Sequence, residues 1–70
     1  MIVKMNGPQG ARQLRDHVEA SIFHQRDDAE GWWITLTHET GRIETLPIEG
    51  NIFVMNNDGI TVDRFILERK

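Results

Sequence analysis

The chain has 70 residues, a formal charge of −3 and no cysteine, which bounds it to one small domain, residues 1–70, without disulfides or thiolate metal sites. An acidic balance argues against nucleic acid as a partner, because phosphate binding draws most of its affinity from clustered Lys and Arg. No apolar run approaches the roughly 20 residues of a membrane span, and the segment Met1 to Met5 is too short for a signal peptide, so a cytoplasmic setting is expected.

Met1 to Met5 alternates loosely and runs into Asn6-Gly7-Pro8, which reads as a short strand followed by a turn. From about Gln9 to Ala29, the residues Ala11, Leu14, Val18, Ile22, Gln25 and Ala29 recur at spacings of three and four. That spacing predicts an amphipathic helix with Leu14, Val18 and Ile22 in the core and Arg12, Asp16, Glu19 and Arg26 on the solvated side. Gly31 fits as the helix stop.

Two turn sequences dominate the second half, Glu39-Thr40-Gly41 and Asn57-Asp58-Gly59, each between runs of strand-forming residues. A three-residue loop with a left-handed glycine sets His38 opposite Arg42, and the pairs Leu36/Glu44, Ile34/Leu46 and Trp32/Ile48 then share one face. Thr37/Ile43, Thr35/Thr45 and Trp33/Pro47 share the other. The same loop in the second hairpin sets Asn56 opposite Ile60, Val54 opposite Val62 and Ile52 opposite Arg64. Phe53, Met55, Phe65 and Leu67 fall on the opposite parity, so this hairpin is apolar on both faces.

The expected fold class is α+β: one N-terminal amphipathic helix packed on a four- to five-stranded antiparallel meander of two tandem hairpins. A single helix covers only one sheet face. The other is to be closed by curling into a half-barrel, by the N-terminal strand or by another molecule.

Candidate chemistry is sparse. His17 and His24 are seven residues apart, about 10 Å on a helix and too far to share an ion, so neither they nor His38 is assigned to a metal. Ser21 is the one serine and sits beside the core stripe, away from any nucleophile elbow. Asp27, Asp28 and Glu30 lack the apolar walls that would tune a catalytic carboxyl, and they read as a solvated acidic corner able to dock a basic partner. Gly7-Pro8-Gln9-Gly10 lacks the lysine and the glycine spacing of a phosphate loop. No catalytic residue, metal or cofactor is expected.

Aromatic residues remain as contact candidates. Adjacent strand residues point to opposite faces, so Trp32 and Trp33 cannot enter one core. Trp32 is the core candidate, and Trp33 and Phe23 are the exposed anchors, since large aromatics dominate interface energetics. The leading expectation is a non-enzymatic protein-binding module, acting as a regulator, inhibitor or assembly adaptor, with Trp33, Phe23, Asp27, Asp28 and Phe53 as interaction residues. Small acidic proteins of this kind are common among phage and mobile-element accessory factors. A chain this short gains from a partner subunit, so a homodimer is expected. The alternative is a small ligand or single-stranded nucleic acid stacked on Trp33 and Phe53.

Overall fold

The computed structural model describes residues 1–26 and 29–67 and contains only strands among them. They are β1 (Ile2–Gly7), β2 (Gly10–Arg15), β3 (Val18–Arg26), β4 (Ala29–His38), β5 (Ile43–Pro47), β6 (Asn51–Met55) and β7 (Thr61–Phe65). All pairings are antiparallel, in two sheets ordered β2-β1-β6-β7 and β3-β4-β5. The inner faces of both sheets meet in one core of Val3, Met5, Ile52 and Val54 from the first and Val18, Ile34 and Leu36 from the second, with Ile48 at the crossing between them.

The expected α+β fold is therefore corrected, because the segment read as a helix forms β2 and β3. Its three-and-four spacing arises from irregularities in the strands. Register shifts at Leu14 and Glu19 each insert one extra residue, and the Asp16-His17 turn, with His17 at a φ of 52°, reverses the chain between them. Leu14 and Val18 thus reach the same core from different sheets. Ile22 does not, and it is 61% exposed on the outside of β3. Gly31 stops no helix; it lies inside β4 at a φ of 89°, within the register shift between the Gln25/Trp32 and Arg26/Ala29 pairs.

The first of the two tandem hairpins forms as its sequence dictates. His38 N–H donates to Arg42 O at 2.8 Å, Gly41 N–H to His38 O at 2.8 Å, and Gly41 has a φ of 89°. The pairs Leu36/Glu44, Ile34/Leu46, Thr35/Thr45 and Trp33/Pro47 all occur. The second hairpin closes with the expected loop, Asn56 N–H donating to Ile60 O at 2.9 Å. Beyond the loop its register differs by one residue. A bulge at Val62 places Asp63 opposite Val54 and Phe65 opposite Ile52. Without it, Arg64 would face the buried Ile52; with it, Phe65 turns inward against Trp32 and Phe23, at ring separations of 5.0 and 5.3 Å.

The four-stranded meander is also corrected. After β5 the chain leaves the sheet through Ile48, whose N–H still donates to Trp32 O at 2.9 Å, and β6 pairs with β1 instead. Gly50 makes this crossing possible. A Cβ there would lie 2.4 Å from Asn6 O and 2.6 Å from Gly7 Cα, so the two backbones pass where no side chain fits. At the other end Met1 closes the sheets, its ammonium donating to Val18 O at 2.6 Å and Val18 N–H to Met1 O at 3.0 Å.

Gly50→Ala is expected to lower stability by about 1–3 kcal/mol through this overlap, with the fold retained. Urea unfolding checks it, and an unchanged midpoint would mean that β1 and the crossover are further apart than described.

Candidate functional site

Polar groups gather where β2 lies over β5, at one open side of the two-sheet stack. Arg15 Nε donates to Glu44 Oε1 at 2.7 Å and Arg15 Nη2 to Oε2 at 3.4 Å, a fork that ties β2 of one sheet to β5 of the other. Arg15 Nη1 donates to Leu14 O at 2.6 Å, satisfying a carbonyl at the bulge. His38, only 8% exposed, lies 2.7 Å from Glu44 Oε1 through Nε2. A carboxylate only accepts, so Nε2 carries the hydrogen in that bond. Arg42 Nη2 stands 3.8 Å from the same oxygen.

The Arg15 hydrogen bond, the His38 hydrogen bond and the positive charges of Arg15 and Arg42 together outweigh burial and hold the Glu44 carboxyl below its usual range. Among the described residues no hydroxyl bonds to His38, and the cluster forms a clasp that joins β2 of one sheet to β4 and β5 of the other. Beside it a cleft of about 240 Å³, lined by Met5, Leu14, Leu46, Arg12 and Glu49, opens between β2 and β5.

The outward face of β3-β4-β5 is different in kind. Register places its side chains in three cross-strand rows: His24–Trp33–Pro47, Ile22–Thr35–Thr45 and Ala20–Thr37–Ile43. None of these side chains carries a formal charge, in a chain of which 27% is charged. Ile22 and Ile43 are 61% and 67% exposed, and Trp33 is half-buried. The polar groups in the middle bond to one another, His24 Nε2 to Thr35 Oγ1 at 2.7 Å and Thr35 Oγ1 to Thr45 Oγ1 at 2.9 Å. Their hydrogen-bonding capacity is thus partly satisfied within the face.

The expected interaction residues are thereby separated. Trp33 lies on this outward face, as the hairpin register required. Phe23 is directed inward, opposite Ile34, and half-buried at the margin of the core with its ring against Phe65. Phe53 is on the outward face of the other sheet, between Lys4 and Arg64 across the strands. Trp33 and Phe53 consequently face away from each other and cannot form one aromatic platform. Asp27 and Asp28 lie outside the described residues, and Glu30 is exposed at the adjoining end of β4. Ile22 joins this surface because its segment is a strand, where a helical spacing would have placed it in the core. The signal that could have found it was strand propensity, since Val18, Ile22 and Phe23 all favour strands.

No group of three or more His, Asp or Glu side chains capable of holding a metal ion occurs among the described residues, and none of their segments is a helix long and apolar enough to cross a membrane. Comparison with protein-family models, curated proteins and solved structures finds no match to this chain.

The clasp makes stability depend on pH with a definite sign. The Glu44 pKa is lowered in the folded state, so its contribution is complete above the ordinary carboxylate pKa of about 4.5 and is lost as pH falls through the lowered value. Glu44→Gln is expected to be less stable than the parent at pH 7, with the gap narrowing as the pH is taken below about 4. Thermal melts across that range measure it. A gap that stays constant would show that the Glu44 charge contributes nothing to the fold.

Proposed function

We propose that this protein is a small non-enzymatic binding module that associates with a second copy of itself through the outward face of β3-β4-β5, and that it regulates or bridges an assembly through such contacts. The observation that carries the reading is the uncharged three-by-three array around Thr35, flanked by exposed Ile22 and Ile43 and by Trp33. Isolated apolar surface residues are ordinary, whereas a contiguous uncharged face on an acidic chain is not. Two copies of charge −3 repel one another on average, and this face lets them meet without bringing like charges into contact.

Inter-strand spacing of about 4.8 Å and same-face spacing of about 6.8 Å give the array a footprint of about 300 Å². A stable interface takes about 800 Å² from each partner. Association through this face alone is therefore weak and concentration-dependent, as befits an assembly factor that exchanges partners.

Ile22→Asp combined with Ile43→Asp tests the reading without disturbing the core, since both side chains are largely exposed. Sedimentation equilibrium is expected to show a concentration-dependent dimer for the parent chain and a monomer for the double variant, with matching circular dichroism. A parent chain that stays monomeric at millimolar concentration, or a double variant that dimerises equally well, overturns the proposal.

A further inference from the structure

The two sheets present opposite outward faces, and the second has a chemistry that the average charge of the chain conceals. On the outside of β2-β1-β6-β7, register forms one row of Gln13–Lys4–Phe53–Arg64, bordered by Asn6 and Asn51 on one side and by Ile2, Met55 and Thr61 on the other. Lys4 and Arg64 are exposed, and neither side chain has an ion-pair partner among the described residues. Among the described residues no carboxylate shares the face. Asp63 is the nearest in sequence, and the Val62 bulge sets it opposite the buried Val54, on the core side, where its Oδ1 accepts from Arg64 N–H at 2.8 Å. The remaining described acids stand in turns, at bulges, at the crossover or in the clasp: Asp16, Glu19, Glu30, Glu39, Glu44, Glu49 and Asp58. Among the described residues, the fold sorts the acids to the rims and leaves this face locally cationic.

From this sorting we propose that the outward face of β2-β1-β6-β7 binds single-stranded nucleic acid, one base stacking on Phe53 while the phosphates on either side of it are held by Lys4 and Arg64. Two inter-strand spacings set the Lys4 and Arg64 backbones about 10 Å apart with the ring between them, and both side chains are long enough to close on a straddling nucleotide. The order cation, ring, cation repeats the order phosphate, base, phosphate. An acidic peptide matches the two cations but leaves the half-buried ring without a counterpart. A duplex keeps its base faces stacked internally and out of reach of a sheet surface. Asn6 and Gln13 add uncharged donors and acceptors around the ring, which suits contact with base edges or sugars, whereas Asn51 Oδ1 already accepts from Leu67 N–H at 3.0 Å. Two phosphate contacts on a chain of net charge −3 make the binding weak and strongly dependent on salt.

The test is titration of a short fluorescein-labelled oligo(dT) followed by anisotropy, with amide chemical-shift mapping of the contact. Perturbations are expected at Lys4, Phe53 and Arg64. The logarithm of affinity is expected to fall against the logarithm of salt with a slope of about −1.4, from two phosphates at about 0.7 each. Phe53→Leu keeps an apolar side chain but removes the stacking surface, and it is expected to weaken binding about tenfold. Lys4→Gln combined with Arg64→Gln should flatten the salt dependence. The Ile22→Asp, Ile43→Asp variant on the opposite face should bind the oligonucleotide as the parent does, so this proposal and the self-association proposal fail independently. Absence of binding at millimolar protein in low salt, shifts confined to β3-β4-β5, or unchanged affinity in Phe53→Leu each overturns the assignment. Equal competition by a poly-glutamate peptide would assign the face to an acidic protein segment and overturn it as well.

Discussion

Pairing of β1 with β6 is the constraint on which the rest of the molecule depends. It joins residues some fifty positions apart and sets Val3 against Val54 and Met5 against Ile52, four of the side chains that fill the core. Once β6 belongs to β1, the hairpin that follows it must extend the first sheet, and β5 is left at an edge of the second. The crossing between sheets is short because Gly50 lets the chain pass against the Asn6 carbonyl. Both outward faces owe their composition to this division. Had β6 continued the meander beside β5, Phe53 would have belonged to the same sheet as Trp33.

Bulges do the second part of the work. Each inserts a residue and exchanges inward for outward along the strand beyond it, so a single extra position decides which side chains meet the core. At Val62 the exchange brings Phe65 inward and sends Arg64 outward. At Leu14 it aligns Arg15 with the core-facing Val3, from where its guanidinium reaches Glu44 across the gap between the sheets. The two open sides of the stack are then closed by different means, aromatic rings where β7 meets β3 and β4, and a charge-assisted clasp where β2 meets β5. Within the clasp His38 is buried while Arg15 stays partly exposed, so the His38–Glu44 bond is better shielded from water than the Arg15–Glu44 bond.

Free strand edges in so small a stack invite unwanted pairing, and the chain blunts them. Pro47 ends β5, where it cannot donate to a neighbouring strand, and the β2 and β7 edges each carry a bulge together with charged side chains. Pairing at the edges is thereby disfavoured, and the two outward faces of the stack differ in kind, one uncharged and one cationic.

The sequence by itself determined the local structures. Gly41 and Gly59 specify three-residue loops because only glycine enters the left-handed region without steric cost, and the first hairpin's register follows from alternation alone, placing Trp33, Thr35, Thr37, Ile43, Thr45 and Pro47 together on one face. Val18 and Ile34 were legible as core, and Leu14 and Leu46 do pack at its margin. Only tertiary structure decided between helix and strand for residues 10–26, since two bulges and a turn can reproduce a three-and-four spacing and the competing strand propensity is weak until a neighbouring strand supplies the hydrogen bonds. It likewise decided that Ile22 faces water and Phe23 the core, and that Lys4 and Arg64 flank Phe53. The reason is the same in each case: a side chain's face in a sheet depends on parity counted through every bulge, and the bulges form where distant strands meet.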